Sequence, residues 1–155
     1  MTVTLAPPRL PLAGEVMSGP PLSVGPDAPV WAAWDLMTRH GVRHLLVMQA
    51  GRCVGVLDDR RVFAQWPLGP GRLRRKPVAL LMRTPVFYVR TDSEIGDVAR
   101  IMLRECVDAV PVVDDDDGTT VGILTCSDVL AAVALTRTTA SPVPDPARGA
   151  ALRST

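Results

Sequence analysis

The stretch Gly122-Ile123-Leu124-Thr125-Cys126-Ser127-Asp128 joins an apolar run to a polar segment, and part of it has a match earlier in the chain. Gly55-Val56-Leu57 lines up with its first three residues at a shift of 67. Further out, Met17-Ser18-Gly19-Pro20 lines up with Met82-Arg83-Thr84-Pro85 at a shift of 65. The two extra residues fall in the acidic stretch 114–120, where a turn between strands tolerates a change in length. The chain is therefore built from an internal repeat.

Each unit of the repeat has the pattern of a β-α-β-β-α fold. A short extended segment precedes apolar residues spaced three and four apart, which indicates an amphipathic helix, and an Asp in each unit is placed to cap it (Asp27, Asp92). Two apolar runs joined by a turn then predict a pair of buried strands (45–48 and 53–57; 110–113 and 121–124). A second helix is expected to begin near Arg60 and near Ser127. The predicted fold class is α/β, in the α+β sense.

The repeat also divides the chain into segments. Residues 12–66 form the first repeat and residues 78–135 the second, with a linker at 67–77 that carries a basic cluster. We expect the proline-rich residues 1–11 to be mobile and residues 136–155, which have no periodicity, to be a disordered tail.

Composition excludes several classes of protein. A formal charge of +1 supplies no overall field toward nucleic acid or an anionic membrane. No apolar run approaches the roughly 20 residues of a membrane span, and the first residues lack the pattern of a secretory signal, so a cytoplasmic protein is expected. The three cysteines have no metal-binding spacing, and we expect buried free thiols and no metal.

Two such units, the second ending in Gly-apolar-apolar-Thr-x-x-Asp, resemble the CBS domain family over residues 12–135. The resemblance also rests on Met-Arg-Thr-Pro at 82–85, Asp92 before a helix, Val110-Pro111-Val112-Val113, and Arg43-His44-Leu45. It implies that the two repeats pack by pseudo-two-fold symmetry into one disc, a Bateman module. The central clefts of such discs bind adenine nucleotides or related ligands in many members, and the discs commonly pair into dimers. It also implies regulation of a separate partner protein, and not catalysis.

Thr125 and Asp128 place a hydroxyl and a carboxylate at the start of a helix, and together with Ser127 they are the predicted ligand-binding residues of this segment. An ionised Asp accepts hydrogen bonds, which suits a ribose diol, while a hydroxyl and helix-end amides suit phosphate oxygens. The alternative is that Thr125 or Ser127 caps the helix and Asp128 only favours its positive end. The first unit has Asp58-Asp59-Arg60-Arg61 and lacks both the Thr and the Asp at the matched positions, so one site is intact and the other doubtful.

The resemblance implies further contacts to the ligand. Arg43 and His44 would reach its phosphate, although a solvated turn is the alternative. Their counterparts Asp108 and Ala109 would disfavour a phosphate in the other cleft. Backbone of two segments would flank the base (Thr84, Pro85, Val86; Ala109, Val110, Pro111).

Three functions are consistent with these sequence features. The first is a regulatory module that binds AMP, ADP, ATP or another adenosyl compound and signals to an unknown protein partner. The second is a ligand-free dimerising scaffold; a helix bearing Trp31 and Trp34 offers a contact for a homodimer. The third, nucleic-acid binding through the basic linker, is disfavoured because no aromatic residue interleaves with the cluster.

The acidic run 114–117 lacks the spaced ligands of a calcium loop, and no nucleophile-base pair or phosphate loop predicts an enzyme.

Overall fold

Each repeat forms the five elements expected of it, in the expected order. The structure is a computed structural model that describes residues 9–136, so residues 1–8 and almost all of the predicted tail lie outside the described residues. The first repeat comprises β1 (Ser23–Val24), α2 (Val30–His40), β2 (His44–Gln49), β3 (Arg52–Asp58) and α3 (Asp59–Phe63). The second comprises β4 (Val89–Arg90), α5 (Ile95–Glu105), β5 (Ala109–Val113), β6 (Thr120–Thr125) and α6 (Cys126–Thr136).

The two sheets have the same topology. In each, a short first strand pairs in parallel with the second, which pairs antiparallel with the third. The register shifts at equivalent points, between Val47 and Met48 and between Val112 and Val113. This mixed α+β architecture confirms the fold class, and the repeated irregularity shows that the repeat extends to backbone detail.

The hydrophobic core has three parts. Each repeat buries the apolar faces of its helices against its own sheet, for example Val30 and Ala33 in the first and Ile95 and Val98 in the second. A third cluster lies between the repeats and combines Leu46, Cys53 and Val56 with Ala109. The two sheets therefore pack against each other, with the helices on their outer faces.

The segment at the start of each repeat pairs with the last strand of the other repeat. The amide of Ser18 donates to the Ile123 carbonyl (3.0 Å) and the Ile123 amide donates back (2.9 Å), which attaches residues 17–20 to β6. Arg83 and Val56 exchange the same bonds at 2.7 and 3.3 Å. Ala13 of the four-residue helix α1 (Ala13–Val16) likewise lies in the core of the second repeat. The repeats are thus joined by exchanged segments.

Some local expectations differ from the structure. Neither Asp27 nor Asp92 caps a helix: the N-cap residues are Pro29 and Glu94, which have extended backbone and no side-chain cap bond. The C-terminal end of α2 is as expected, since Gly41 adopts the left-handed conformation with φ 64°.

The linker and one cysteine also differ in detail. The chain around the linker forms a 3-10 turn (Trp66–Leu68) and the helix α4 (Pro70–Leu73). The apolar side chain of Leu73 is buried in the hydrophobic core of the first repeat. Cys106 is exposed, contrary to expectation, because it takes the left-handed helix-end position that Gly41 has in the first repeat. Within residues 9–136, no helix has the length and apolar character needed to cross a membrane.

Candidate ligand site

The motif that ends the second repeat holds its own side chains together. The backbone amide and the Oγ1 hydroxyl of Thr125 both donate to Oδ2 of Asp128, each at 2.7 Å. Both side chains are partly buried at the start of the 11-residue helix α6. The other carboxylate oxygen of Asp128, Oδ1, accepts no hydrogen bond from any residue that the structure describes. Oδ1 is therefore a free acceptor at a helix N-terminus.

The matched positions of the first repeat carry the same contact with the polarity reversed. Asp58 stands at the place of Thr125 and Arg61 at the place of Asp128. Oδ1 of Asp58 accepts from the Arg61 amide at 2.9 Å, and Arg61 Nε lies 3.5 Å from Oδ2. Arg61 also donates through Nη1 to the Leu81 carbonyl (3.1 Å). The first repeat thus satisfies its own carboxylate with an internal cation.

Asp58 lies in a narrow cleft between the repeats. The cleft is lined by His44 and Asp58 on one side and by Pro85, Val86 and Ala109 on the other. It encloses about 20 Å³, room for roughly one water molecule. In this conformation the cleft does not have the room that a nucleotide requires.

The structure separates some residues that the sequence prediction grouped together. Pro85 and Val86, with Thr84 next in the chain, lie in the cleft of Asp58 because Arg83 pairs with Val56. The segment that lies against β6, which ends at Thr125, is instead 17–20. The repeat shift of 65 residues makes residues 19–21 the equivalents of residues 84–86. The internal repeat alone could therefore have predicted that residues 19–21 lie near Thr125.

The second predicted backbone segment is placed between the two sites. Ala109 pairs with Thr125 in the strand register and also lines the cleft of Asp58. Pro111 is buried and pairs with Ile123. Val110 directs its side chain into the core of the second repeat, so only its backbone is available to a ligand.

Arg43 and His44 lie at the start of β2 and have different environments. Arg43 is mostly exposed, and its Nε donates to Asp59 Oδ2 at 3.0 Å. His44 is partly buried, and this desolvation lowers its pKa below the usual 6.5, although Asp58 and Asp59 act in the opposite direction. Because a neutral imidazole offers one donor and one acceptor, His44 supplies hydrogen bonds at neutral pH and little charge.

An ion pair across the repeats relates Arg43 to the motif of α6. Arg60, at the start of α3, pairs with Asp108 of the second repeat. The repeat equivalents of these two residues are Ser127 and Arg43. Arg43 and Ser127 are therefore the residues at the positions equivalent to this ion pair, while the contact that Arg43 makes in the structure is with Asp59. Within residues 9–136, no three His, Cys, Asp or Glu side chains cluster in a way that could hold a metal ion.

Comparison with known proteins identifies relatives along most of the chain. The CBS domain family model matches residues 13–65 and 78–135. The magnesium transporter MgtE of Thermus thermophilus is 40% identical over 85 residues, which are 55% of this chain and 17% of the transporter. This chain thus spans only a small part of that relative's length.

Solved structures share the fold. A complex of CBSX2 with AMP superposes with a TM-score of 0.65 at 29% identity, covering 82% of this chain and 99% of that one. The cytosolic domain of the magnesium channel MgtE with ATP gives a TM-score of 0.63 at 31% identity, over 78% of this chain and 48% of that one. With two matched segments, the paired β-α-β-β-α units and these neighbours in agreement, this chain belongs to the CBS domain family.

Proposed function

We propose that the protein is a regulatory module that binds an adenine nucleotide or a related adenosyl ligand on the side of the repeat interface where Thr125 and Asp128 lie, and that it passes this signal to a partner protein. The observation that carries the proposal is the geometry of Asp128. Two bonds from Thr125 fix its carboxylate and leave Oδ1 as a free acceptor. A ribose offers a pair of hydroxyl donors to such an oxygen.

The surroundings of Asp128 supply the remaining chemistry of a nucleotide. Arg43, whose repeat equivalent Asp108 pairs with the residue equivalent to Ser127, would supply a cation for a phosphate, and the amides at the start of α6 would add hydrogen-bond donors. The base would lie against the backbone of residues 19–21 and of Ala109. Residues 19–21 thereby take the role that the sequence predicted for residues 84–86. The first repeat offers a weaker site, since Arg61 already occupies its carboxylate.

The relatives support the ligand class. The CBSX2 and MgtE structures were obtained with AMP and ATP, respectively, and each is more than a quarter identical to this chain. The MgtE match further supports a role in regulating another protein, since there the CBS segment is part of a transporter. We infer regulation, and not catalysis, for this chain as well.

A ligand-free scaffold remains the competing function, and one observation favours it. The amide of Thr125 bonded to Asp128 is also what a simple helix start would show. Nucleic-acid binding through the linker is less supported: Arg74 lies over the ring of Trp31 (5.3 Å) and Lys76 Nζ bonds to Gln65 Oε1 (2.6 Å), so two of the four cations have partners within the chain.

Calorimetric titration with AMP, ADP, ATP, NAD and S-adenosylmethionine separates the two functions. We expect one dominant site, and Asp128→Ala should weaken binding about 10- to 150-fold, because charge-assisted hydrogen bonds of roughly 1.5–3 kcal/mol are lost. Arg61→Ala, at the matched position, is the control and should change the affinity little.

Thermal melts of both variants establish that each is folded. Saturable binding that is unchanged in Asp128→Ala would show that the ligand lies elsewhere. No heat with any of the five compounds would favour the scaffold.

A further inference from the structure

Three sulfur-bearing side chains line one cavity on the outer face of the second repeat. The cavity lies between α5 and α6 and has a volume of about 470 Å³, and its mainly apolar walls include Met102, Cys106 and Cys126. Sγ of Cys126 lies 3.7 Å from Sδ of Met102. Both cysteines are free thiols. We call these three residues the sulfur cluster.

Two neighbouring parts of the fold bring the sulfur cluster together. Cys106 follows α5 one turn after Met102, and its backbone amide donates to the carbonyls of Leu103 and Met102. Cys126 begins α6, and its amide donates to the Asp108 carbonyl at 2.9 Å, which holds it beside the segment that follows Cys106. The two cysteines are far apart in the sequence, so their spacing gave no sign of a common site.

The sulfur cluster extends from the surface into the core of the second repeat. Cys106 is exposed, Cys126 is half-buried, and Met102 has only 4% of its surface accessible. Cys106 also adopts the left-handed backbone conformation, with φ 51°, which favours glycine. Residues other than glycine that are held in such a conformation are found most often at functional sites. The exposed thiol gives an incoming ion a first contact at the mouth of the cavity.

The first repeat has only one member of the sulfur cluster. The equivalents of the three residues, in chain order, are Met37, Gly41 and Asp59. Gly41 takes the same left-handed conformation, with φ 64°, so the fold does not require a cysteine at this position. Asp59 is instead paired with Arg43. The combination of two thiols and a thioether is therefore specific to the second repeat.

Sulfur ligands select soft metal ions. Thiolates and thioethers favour Cu(I), whereas carboxylate, carbonyl and water oxygens suit Mg²⁺, Ca²⁺ and Mn²⁺. A structural zinc site is typically closed by four Cys or His ligands. Asp108, whose carboxylate also lines the cavity, is already paired with Arg60. What this cavity offers to an ion is therefore sulfur.

We propose that the sulfur cluster binds one soft monovalent metal ion of the Cu(I) class, with the thiolates of Cys106 and Cys126 and the thioether of Met102 as its ligands. Each thiol releases its proton to solvent as its sulfur binds, and neither the copper nor the sulfurs change oxidation state. Sγ of Cys106 makes only a long contact of 3.7 Å to the Leu103 carbonyl, which it exchanges for the ion. This site does not depend on the proposed nucleotide site.

Anaerobic titration with Cu(I) tests the proposal. The reduced full chain competes for Cu(I) with the coloured chelator bathocuproine disulfonate, and the ultraviolet thiolate-to-copper band reports sulfur ligation. We expect one ion per chain. Cys106→Gly and Cys126→Ser should each lower the affinity at least about 100-fold, because even the residues that only support metal ligands contribute about 10- to 100-fold. Met102→Leu should lower it less, since a thioether carries no charge.

The chain offers matched controls for these variants. Met37→Leu changes the equivalent methionine of the first repeat, and Cys53→Ala removes the remaining thiol, which lies in the core between the repeats. Both should bind Cu(I) like the parent. Cys106→Gly introduces the residue that the first repeat has at this position, so the left-handed backbone is retained without strain. Thermal melts establish that each variant is folded.

Three results would overturn the proposal. The first is a parent that takes no Cu(I) from the chelator at any protein concentration. The second is binding that survives in both Cys106→Gly and Cys126→Ser, or that is lost in folded Cys53→Ala, since the copper would then lie elsewhere. The third is Zn²⁺ binding as tight as Cu(I) binding, which would show that the site does not select soft ions.

Discussion

Thr125 with Asp128 and Asp58 with Arg61 occupy the same two positions of the two repeats, with donor and acceptor exchanged. The exchange decides what each position can offer to a ligand. Oδ1 of Asp128 stays available, because a hydroxyl and an amide satisfy only Oδ2. In the first repeat a guanidinium approaches one oxygen of Asp58 and a backbone amide donates to the other. A single difference in polarity thus separates an open acceptor from a closed ion pair.

The burial of His44 makes the stability of the protein depend on pH. Burial lowers the pKa of His44 in the folded protein below 6.5, so at mildly acidic pH the unfolded chain binds more protons at this position than the native one does. His44 therefore favours folding above pH 6.5 and loses that contribution as the pH falls through 6.5 toward the lower folded pKa. We expect His44→Gln to reduce the fall in melting temperature between about pH 7 and pH 5.

The chain offers a matched control for this measurement. His40→Gln removes the other histidine, which is exposed at the end of α2, and should leave the pH dependence of melting as in the parent. If the melting temperatures of the parent and of His44→Gln depend on pH in the same way, the burial of the imidazole does not contribute to the pH dependence of stability.

At the scale of elements, the exchanged segments are the feature that the sequence did not predict. The shift of 65 to 67 residues aligned both β-α-β-β-α units, and Gly41 marked the end of α2. Residues 17–20, however, have no apolar alternation that indicates a strand, and they pair with β6 through a single bridge. Such pairing depends on how the repeats pack, which local pattern does not encode. For that reason 84–86 were grouped with Asp128, whereas the structure places Pro85 and Val86 beside Asp58.

Gly19 tests the exchanged segment directly. A Cβ at Gly19 would lie 2.6 Å from the Val121 carbonyl oxygen, so backbone must shift to admit it. We expect Gly19→Ala to lower the unfolding free energy by about 1–3 kcal/mol and to weaken nucleotide binding, since the segment flanks the proposed base position. Gly25→Ala is the control, because nothing lies within 4 Å of a Cβ there. Denaturant unfolding of both variants measures the difference, and equal stabilities would show that the segment yields freely.

At the scale of the whole molecule, the formal charge of +1 is the sum of +4 over residues 12–77, −6 over residues 78–135 and +3 over the remaining residues. The homodimer that the family resemblance implies could be antiparallel, with halves of unlike charge in contact, or parallel, with halves of like charge in contact, and the asymmetry predicts how each arrangement responds to salt. Screening weakens attraction between unlike halves, so the dissociation constant of an antiparallel dimer should rise as sodium chloride increases from about 0.05 to 0.5 M. A parallel dimer should respond in the opposite direction, because salt then screens repulsion. Concentration-dependent light scattering at several salt concentrations gives the sign.

The exchange of segments also has a consequence for synthesis. Ser18 leaves the ribosome early, yet Ile123, the residue to which its backbone bonds, is about 105 positions later in the chain. In the first sheet, Val56 likewise cannot form its backbone bridge until Arg83 has been synthesised. During synthesis, the first repeat therefore has strand edges whose backbone groups are still unpaired. Such edges can associate with other chains. Folding to completion can occur only once the second repeat is almost fully translated.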